Sequence, residues 1–266
     1  MKSLICYFST TGNTKLACEY LARRIPEAGF ELMDITKGPL PDLEPYRLVG
    51  LAAFADFVGP PKLMRDFIGR IPPQHGKAAF VFNTYGNFNG ATLRVLARLA
   101  RGRGFQVLAG HALNTPENFP PLIAGGMANA DYPTERQLEE FNRFIEDLRG
   151  IAAALKEGRP PRAAAISLGL AERMMPPAPR VMARYAMGRK RVDPSLCNQC
   201  GICQKVCPYR AVTLDPGPVF DQRKCYGCWS CYNHCPTGAI YTRMLRDKGR
   251  YLEPHERLRA KLGQSR

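Results

Sequence analysis

At 266 residues, with 45% hydrophobic side chains and a net charge of +15, the chain is long enough for one large or two modest domains. Ten cysteines would suit a secreted disulfide scaffold, but such scaffolds are small, and eight of the ten fall between Cys197 and Cys235. The apolar run Leu4–Phe8 is too short for a signal peptide, and no run of 18 apolar residues suggests a membrane-spanning helix, so a cytoplasmic protein is expected.

The first 157 residues alternate two periodicities. Short apolar or β-branched runs predict strands at Lys2–Phe8, Phe30–Ile35, Tyr46–Ala53, Lys77–Asn83 and Gly104–Leu113. Helical spacing predicts helices at Asn13–Arg24, Pro61–Gly69, Gly90–Arg101 and Pro133–Lys156. Five strands alternating with helices imply a parallel sheet covered on both faces. The unbroken apolar runs Leu48–Phe54 and Ala78–Phe82 suit its buried centre. Cys6 and Cys18 fall in a strand and a helix, where small core residues are expected.

Between the first strand and first helix lies Ser9-Thr10-Thr11-Gly12-Asn13-Thr14. Hydroxyls, a glycine and a helix N-terminus in succession suit a phosphate, because backbone N–H groups and the positive end of the helix dipole favour an anion. A plain helix cap is the competing reading. Position favours the phosphate, since doubly wound sheets bind ligands at the carboxyl ends of their strands. No Lys follows the glycine, so this is not an ATP-binding P-loop, and G-x-G-x-x-G is absent there.

Residues 158–192 read as a linker broken by Pro160-Pro161, Pro176-Pro177 and Pro179. Short helices are predicted at 163–175 and 180–191, the second basic and amphipathic, suited either to clamping domains together or to peripheral membrane contact. Then Cys-x2-Cys-x2-Cys-x3-Cys-Pro occurs twice. Its first copy is Cys197, Cys200, Cys203, Cys207 and Pro208, and its second is Cys225, Cys228, Cys231, Cys235 and Pro236. Gly201 and Gly227 let each run curl tightly. Structural zinc uses paired Cys-x2-Cys with a longer gap. Residues 243–266 form a basic, weakly helical tail, and the four histidines show no ligand spacing and default to the surface.

Two resemblances follow from these motifs. Residues 1–157 resemble a flavodoxin, Ser9–Thr14 matching its FMN-phosphate loop. The resemblance implies an α/β, flavodoxin-like doubly wound five-stranded parallel sheet of order 2-1-3-4-5, with FMN at the switch point. It places the flavin ring against Ala53–Pro60, Thr84–Asn89 and Asn114–Phe119, so Phe54, Ala55, Thr84, Tyr85, Gly86, Asn87, Phe88, Asn118 and Phe119 become candidate contacts. Phe54, Tyr85, Phe88 and Phe119 are the aromatics able to stack on a flat ring or equally to serve as core. No Trp lies in residues 1–157. Residues 193–242 resemble the bacterial two-cluster ferredoxins, a small α+β unit in which the fourth Cys of each run ligates the other [4Fe–4S] cluster. That implies one cluster on Cys197, Cys200, Cys203 and Cys235, and another on Cys225, Cys228, Cys231 and Cys207. Tyr209, Tyr226, Trp229 and Tyr232 would shield the iron from water.

The joined pair resembles iron–sulfur flavoproteins in which a flavodoxin domain precedes a ferredoxin domain. The resemblance implies an electron-transfer protein passing electrons between FMN and two [4Fe–4S] clusters, to or from a redox partner, with no catalytic side chain. An FMN-dependent reductase of a small quinone or nitro compound is the alternative. Residues 1–157 carry 18 Lys and Arg against 16 Asp and Glu, whereas residues 158–266 carry 20 against 7. Nucleic-acid binding would fit that excess, but no recognised module accompanies it. Thiolate-bound cubanes are anionic and consume part of the charge. The remainder suits an acidic partner protein, with Arg189, Lys190 and Arg191 as candidate docking charges.

Overall fold

In the computed structural model, residues 1–164, 166, 174–175 and 187–263 are described. Five strands, β1 (Ser3–Tyr7), β2 (Phe30–Asp34), β3 (Leu48–Phe54), β4 (Ala78–Tyr85) and β5 (Gln106–Asn114), pair in parallel in the order β2-β1-β3-β4-β5. This is the flavodoxin-like doubly wound order. The central strands β1 and β3 are buried almost throughout, as unbroken apolar runs in a sheet covered on both sides must be.

Strand alternation divides the core in two. Ile5, Tyr7, Phe80 and Phe82 point to the face covered by α1 (Asn13–Arg24) and α5 (Glu135–Lys156), meeting Leu16, Leu21, Phe141, Ile145 and Leu148. Leu4, Cys6, Val49, Leu51 and Val81 point to the opposite face, against α2 (Lys62–Arg70) and α3 (Thr92–Gly102). A capping box fixes the start of α5, Thr134 and Gln137 exchanging side chain to backbone bonds. A short helix α4 (Pro120–Ala124), with Pro in its first turn, follows β5. Cys6 and Cys18 are buried, and burial pushes the Cys6 thiol up to about 12.

The basic tail packs against the sheet domain. His255 caps helix α8 (Glu256–Lys261), and Leu258 and Leu262 are fully buried in the layer beneath α1 and α5. Apolar residues at that spacing seat a six-residue helix only when a groove receives them. His111, expected at the surface, lies among Phe82, Phe141 and Phe144 with ring centroids 5.2–6.4 Å away. Desolvation there lowers its pKa to about 4. The predicted helices at 163–175 and 180–191 fall mostly outside the described residues. Of that stretch, Ala164 donates to Leu108 O (2.7 Å) and Ile166 bridges Gly110, beside β5, and Met174 is helical.

The cysteine-rich unit is assembled from small pieces. Its ends meet where β6 (Arg191–Val192) pairs antiparallel with β9 (Ile240–Tyr241), and β7 (Val212–Asp215) forms a hairpin with β8 (Gly217–Phe220). One-turn helices α6 (Ile202–Lys205) and α7 (Ser230–Asn233) follow residues at positive φ, Gly201 at 73° and Trp229 at 61°. The repeat extends to sulfur, because a backbone N–H four residues on points at each fourth cysteine: Ala211 to Cys207 (3.2 Å) and Ala239 to Cys235. The apolar centre, Met187, Val212, Trp229, Tyr232 and Ile240, also receives Phe57 and Phe119 from the sheet domain. The two units therefore share one seam. Among the described residues no helix is long and apolar enough to cross a membrane.

Candidate functional site

The loop after β1 is shaped by Gly12, at φ 98° on the N-terminus of α1. Gly12 N–H donates to Ser9 Oγ (3.1 Å), curling the loop, and the first turn of α1 leaves N–H groups without intrahelical acceptors. That donor set, with the hydroxyls of Ser9 and Thr10, suits a phosphate group. Its other side chains are spoken for. Thr14 and Thr84 hydroxyls lie 2.8 Å apart and buried, and Asn118 donates to Thr11 Oγ1 (2.8 Å). Asn13 donates to Pro116 O (3.0 Å) and accepts from Tyr251 Oη (2.8 Å). Thr14, Thr84 and Asn13 thus hold the loop's shape.

Beside this loop opens a cavity of about 280 Å³. Phe54, Ala55, Asp56, Phe57 and Val58 form one wall, Gly86 and Phe88 a second, and Glu117, Asn118 and Phe119 a third. All three segments predicted from the flavodoxin resemblance meet there. Tyr85 and Asn87 are not among its lining residues; Tyr85 O accepts from Thr115 N–H (2.8 Å). Phe57 and Val58 hold φ of 52° and 58°. Left-handed conformations cost non-glycine residues about 1–3 kcal/mol each and concentrate at functional sites.

Glu117 organises the cavity, and nothing in the sequence singled it out. Its carboxylate accepts from Asn87 N (3.0 Å), Asn87 Nδ2 (2.9 Å), Asn118 N (2.9 Å) and Phe119 N (3.0 Å), tying two loops together. A Cβ on Gly86 would sit 2.5 Å from that carboxylate, so glycine is required by the fit to Glu117. A buried carboxylate joining loops thirty residues apart leaves no local signal.

The fourth wall comes from the cysteine-rich unit: Met187, Gly227, Cys228 and Trp229. Trp229 is 2% exposed, packs edge-on to Phe119 and Tyr232 (5.7 and 5.0 Å between centroids), and donates from Nε1 to Met187 Sδ (3.3 Å). The tryptophan missing from the first 157 residues is supplied across the seam, where it lines the cavity as well as screening the cysteines. Asn233 reinforces the junction, donating to Asn118 O (3.2 Å) and accepting from Tyr251 N (3.1 Å).

The eight cysteines are free thiols in two sets. Cys203 is electrostatically coupled to Cys197, Cys200 and Cys235. Cys231 is coupled to Cys228, Cys225 and Cys207. These influences fall on Cys203 from Cys235 and on Cys231 from Cys207, the fourth cysteine of the opposite run in each case. Burial pushes the Cys228 thiol up to about 12 and raises that of Cys231 as well, so thiolates there need a strongly cationic partner. Among the described residues no three His, Cys, Asp or Glu converge on one ion. A cubane takes its thiolates at four separate irons.

Residues 196–239 match the 4Fe-4S dicluster domain family. The chain is 37% identical over 59 residues to an uncharacterized ferredoxin of Methanocaldococcus jannaschii, covering 20% of this chain and 39% of that protein. It is 38% identical over 65 residues to adenylylsulfate reductase subunit beta of Megalodesulfovibrio gigas, covering 21% and 39%. The chain thus spans about two fifths of the length of these curated relatives. Among solved structures, an archaeal flavodoxin (TM-score 0.43, 21% identity) and oxidised flavodoxin 2 of Bacillus cereus (0.43, 18%) each cover 59% of this chain and 99% of their own.

Outside the cavity a second hollow, about 570 Å³, opens at Cys225 and is lined by Arg189, Arg191, Arg223 and Arg243. Lys190, expected beside Arg189 and Arg191 as a docking charge, is not on that surface. It is 3% exposed, with Nζ 3.6 Å from the centroid of the Trp229 ring.

Proposed function

We propose that the chain is an electron-transfer iron–sulfur flavoprotein that binds FMN between its two units and passes electrons between it, two [4Fe–4S] clusters and a redox partner protein. FMN exchanges electrons singly or in pairs, and each cubane exchanges one at a time. One observation carries the reading. The cavity built by the three predicted flavin-ring loops is closed by Cys228 and Trp229, so a cluster-ligand sulfur and the ring would share one wall. The N–H groups at the start of α1 would hold the phosphate. Phe54, Phe119 and Trp229 would flank the ring and exclude water. Cys197, Cys200, Cys203 and Cys235 would hold one cluster, and Cys225, Cys228, Cys231 and Cys207 the other, with N–H groups directed at sulfur to tune potential.

A flavin ring would occupy the cavity of about 280 Å³, and the alternative, a reductase of a small organic molecule, would need further space over the ring. The arginine-lined hollow at Cys225 suits an acidic partner.

Anaerobic purification with flavin and iron quantified tests the assignment: one FMN and about eight irons per chain are expected for two cubanes. A colourless protein, or one holding zinc, would refute it. Replacing Arg189, Arg223 and Arg243 by Gln should weaken the salt dependence of electron exchange with an acidic ferredoxin. An unchanged salt dependence would remove the docking role.

A further inference from the structure

The basic tail crosses the loop after β1 before its last helix enters the core. Tyr251 is buried and donates from Oη to the buried Asn13 Oδ1 (2.8 Å), while the same oxygen accepts from His255 N (2.9 Å). Three residues on, Pro254 packs on Gly12, its Cγ and Cδ 2.8 Å from where a Cβ there would stand. Asn13 opens α1, and its amide is gripped at both ends, Nδ2 donating to Pro116 O (3.0 Å) and Oδ1 taking the Tyr251 hydroxyl. In the other direction Tyr251 N–H donates to Asn233 Oδ1 (3.1 Å), and Asn233 lies between Cys231 and Cys235. One tyrosine thus spans from the second cysteine run to the first turn of α1.

We propose that Tyr251 is a positioning residue of the flavin site, acting through Asn13 to hold the first turn of α1 in the orientation that grips the flavin phosphate. Leu16 N–H bonds Gly12 O (2.9 Å), so the N–H groups before it, from Asn13 to Lys15, have no carbonyl behind them within the helix. They bind an anion only while they point at it together. The ring end is braced separately. The Glu117 carboxylate ties Asn87 to Asn118 and Phe119, and Asn233 holds Asn118 O (3.2 Å). Losing the Tyr251 hydroxyl leaves those bonds whole and deprives Asn13 Oδ1 and His255 N–H of a partner. Tyr251 therefore sets the preference for a phosphorylated flavin over the same ring without phosphate.

This inference rests on the FMN reading. Full-length protein with its clusters in place and its flavin removed would be titrated with FMN and with riboflavin, which lacks the phosphate. Tyr251→Phe keeps the aromatic ring and removes only the hydroxyl. It should weaken FMN about three- to tenfold, the usual cost of one hydrogen bond, and leave riboflavin unchanged. Asn13→Ala should weaken FMN at least as much, and adding Tyr251→Phe to it should cost nothing further, because both changes remove one interaction. Equal losses for FMN and riboflavin, or a fall in iron per chain in Tyr251→Phe, would assign the tyrosine to stability alone and overturn the proposal. Unchanged FMN affinity, or additive losses in the double variant, would overturn it too. An unsubstituted protein that binds neither flavin would refute the FMN reading itself, and this inference with it.

Discussion

Replacing Gly12 by Ala should detach the flavin while leaving the clusters intact. Gly12 holds φ 98°, which costs a side-chain-bearing residue about 1–2 kcal/mol. A Cβ there would lie 2.8 Å from Pro254 Cγ and Cδ, atoms of a stiff ring that yields only if the tail moves. Moving it strains the buried Tyr251–Asn13 hydrogen bond, typically about 0.5–1.5 kcal/mol. Together these give about 1.5–3.5 kcal/mol against the loop conformation that cradles phosphate, or about ten- to 300-fold in FMN affinity. Fluorescence titration of flavin-depleted protein measures the affinity, and iron content per chain reports the clusters. Because the clash is with Pro254, a Gly12→Ala, Pro254→Gly double variant should recover part of the loss. A Gly12→Ala protein binding FMN within threefold of the unsubstituted chain would refute the phosphate-cradle reading.

Other consequences are as concrete. Leu258→Ala, far outside the sheet in sequence, should destabilise the sheet domain by about 2–5 kcal/mol in urea unfolding, because Leu258 is fully buried in its core; a change below 0.5 kcal/mol would mean the tail does not dock. His111 has a folded pKa near 4, below the ordinary 6.5, so the unfolded chain binds the extra proton first. Its contribution is complete above about pH 6.5 and is lost as pH falls towards 4, with a slope of at most about 1.4 kcal/mol per pH unit. Unfolding of His111→Gln across that window should be flatter, and an unchanged slope would contradict this. If the proposed ligand sets are right, Cys235→Ser should disturb the EPR spectrum of the cluster assigned to Cys197, Cys200 and Cys203 and spare the other. The converse result would mean that each run holds its own cluster.

The sequence alone determined the local and periodic features. Runs such as Leu48–Phe54 specify a doubly buried strand, and Ser9–Thr14 between a strand and a helix specifies a tight loop at a helix N-terminus, because both depend on neighbours along the chain. The two four-cysteine phrases are legible for the same reason: their spacing is their chemistry. Only the tertiary structure decided what depends on residues distant in sequence. Glu117 bridges two loops, and Leu258 turns a basic tail into core. Trp229 supplies the fourth wall of a cavity made by the other unit. Lys190 reads in sequence as the middle of an exposed basic triplet, and burial beneath an indole ring 39 residues away in the chain makes it an interior charge. Burial is a property of the packed surface, and no pattern of nearest neighbours encodes it.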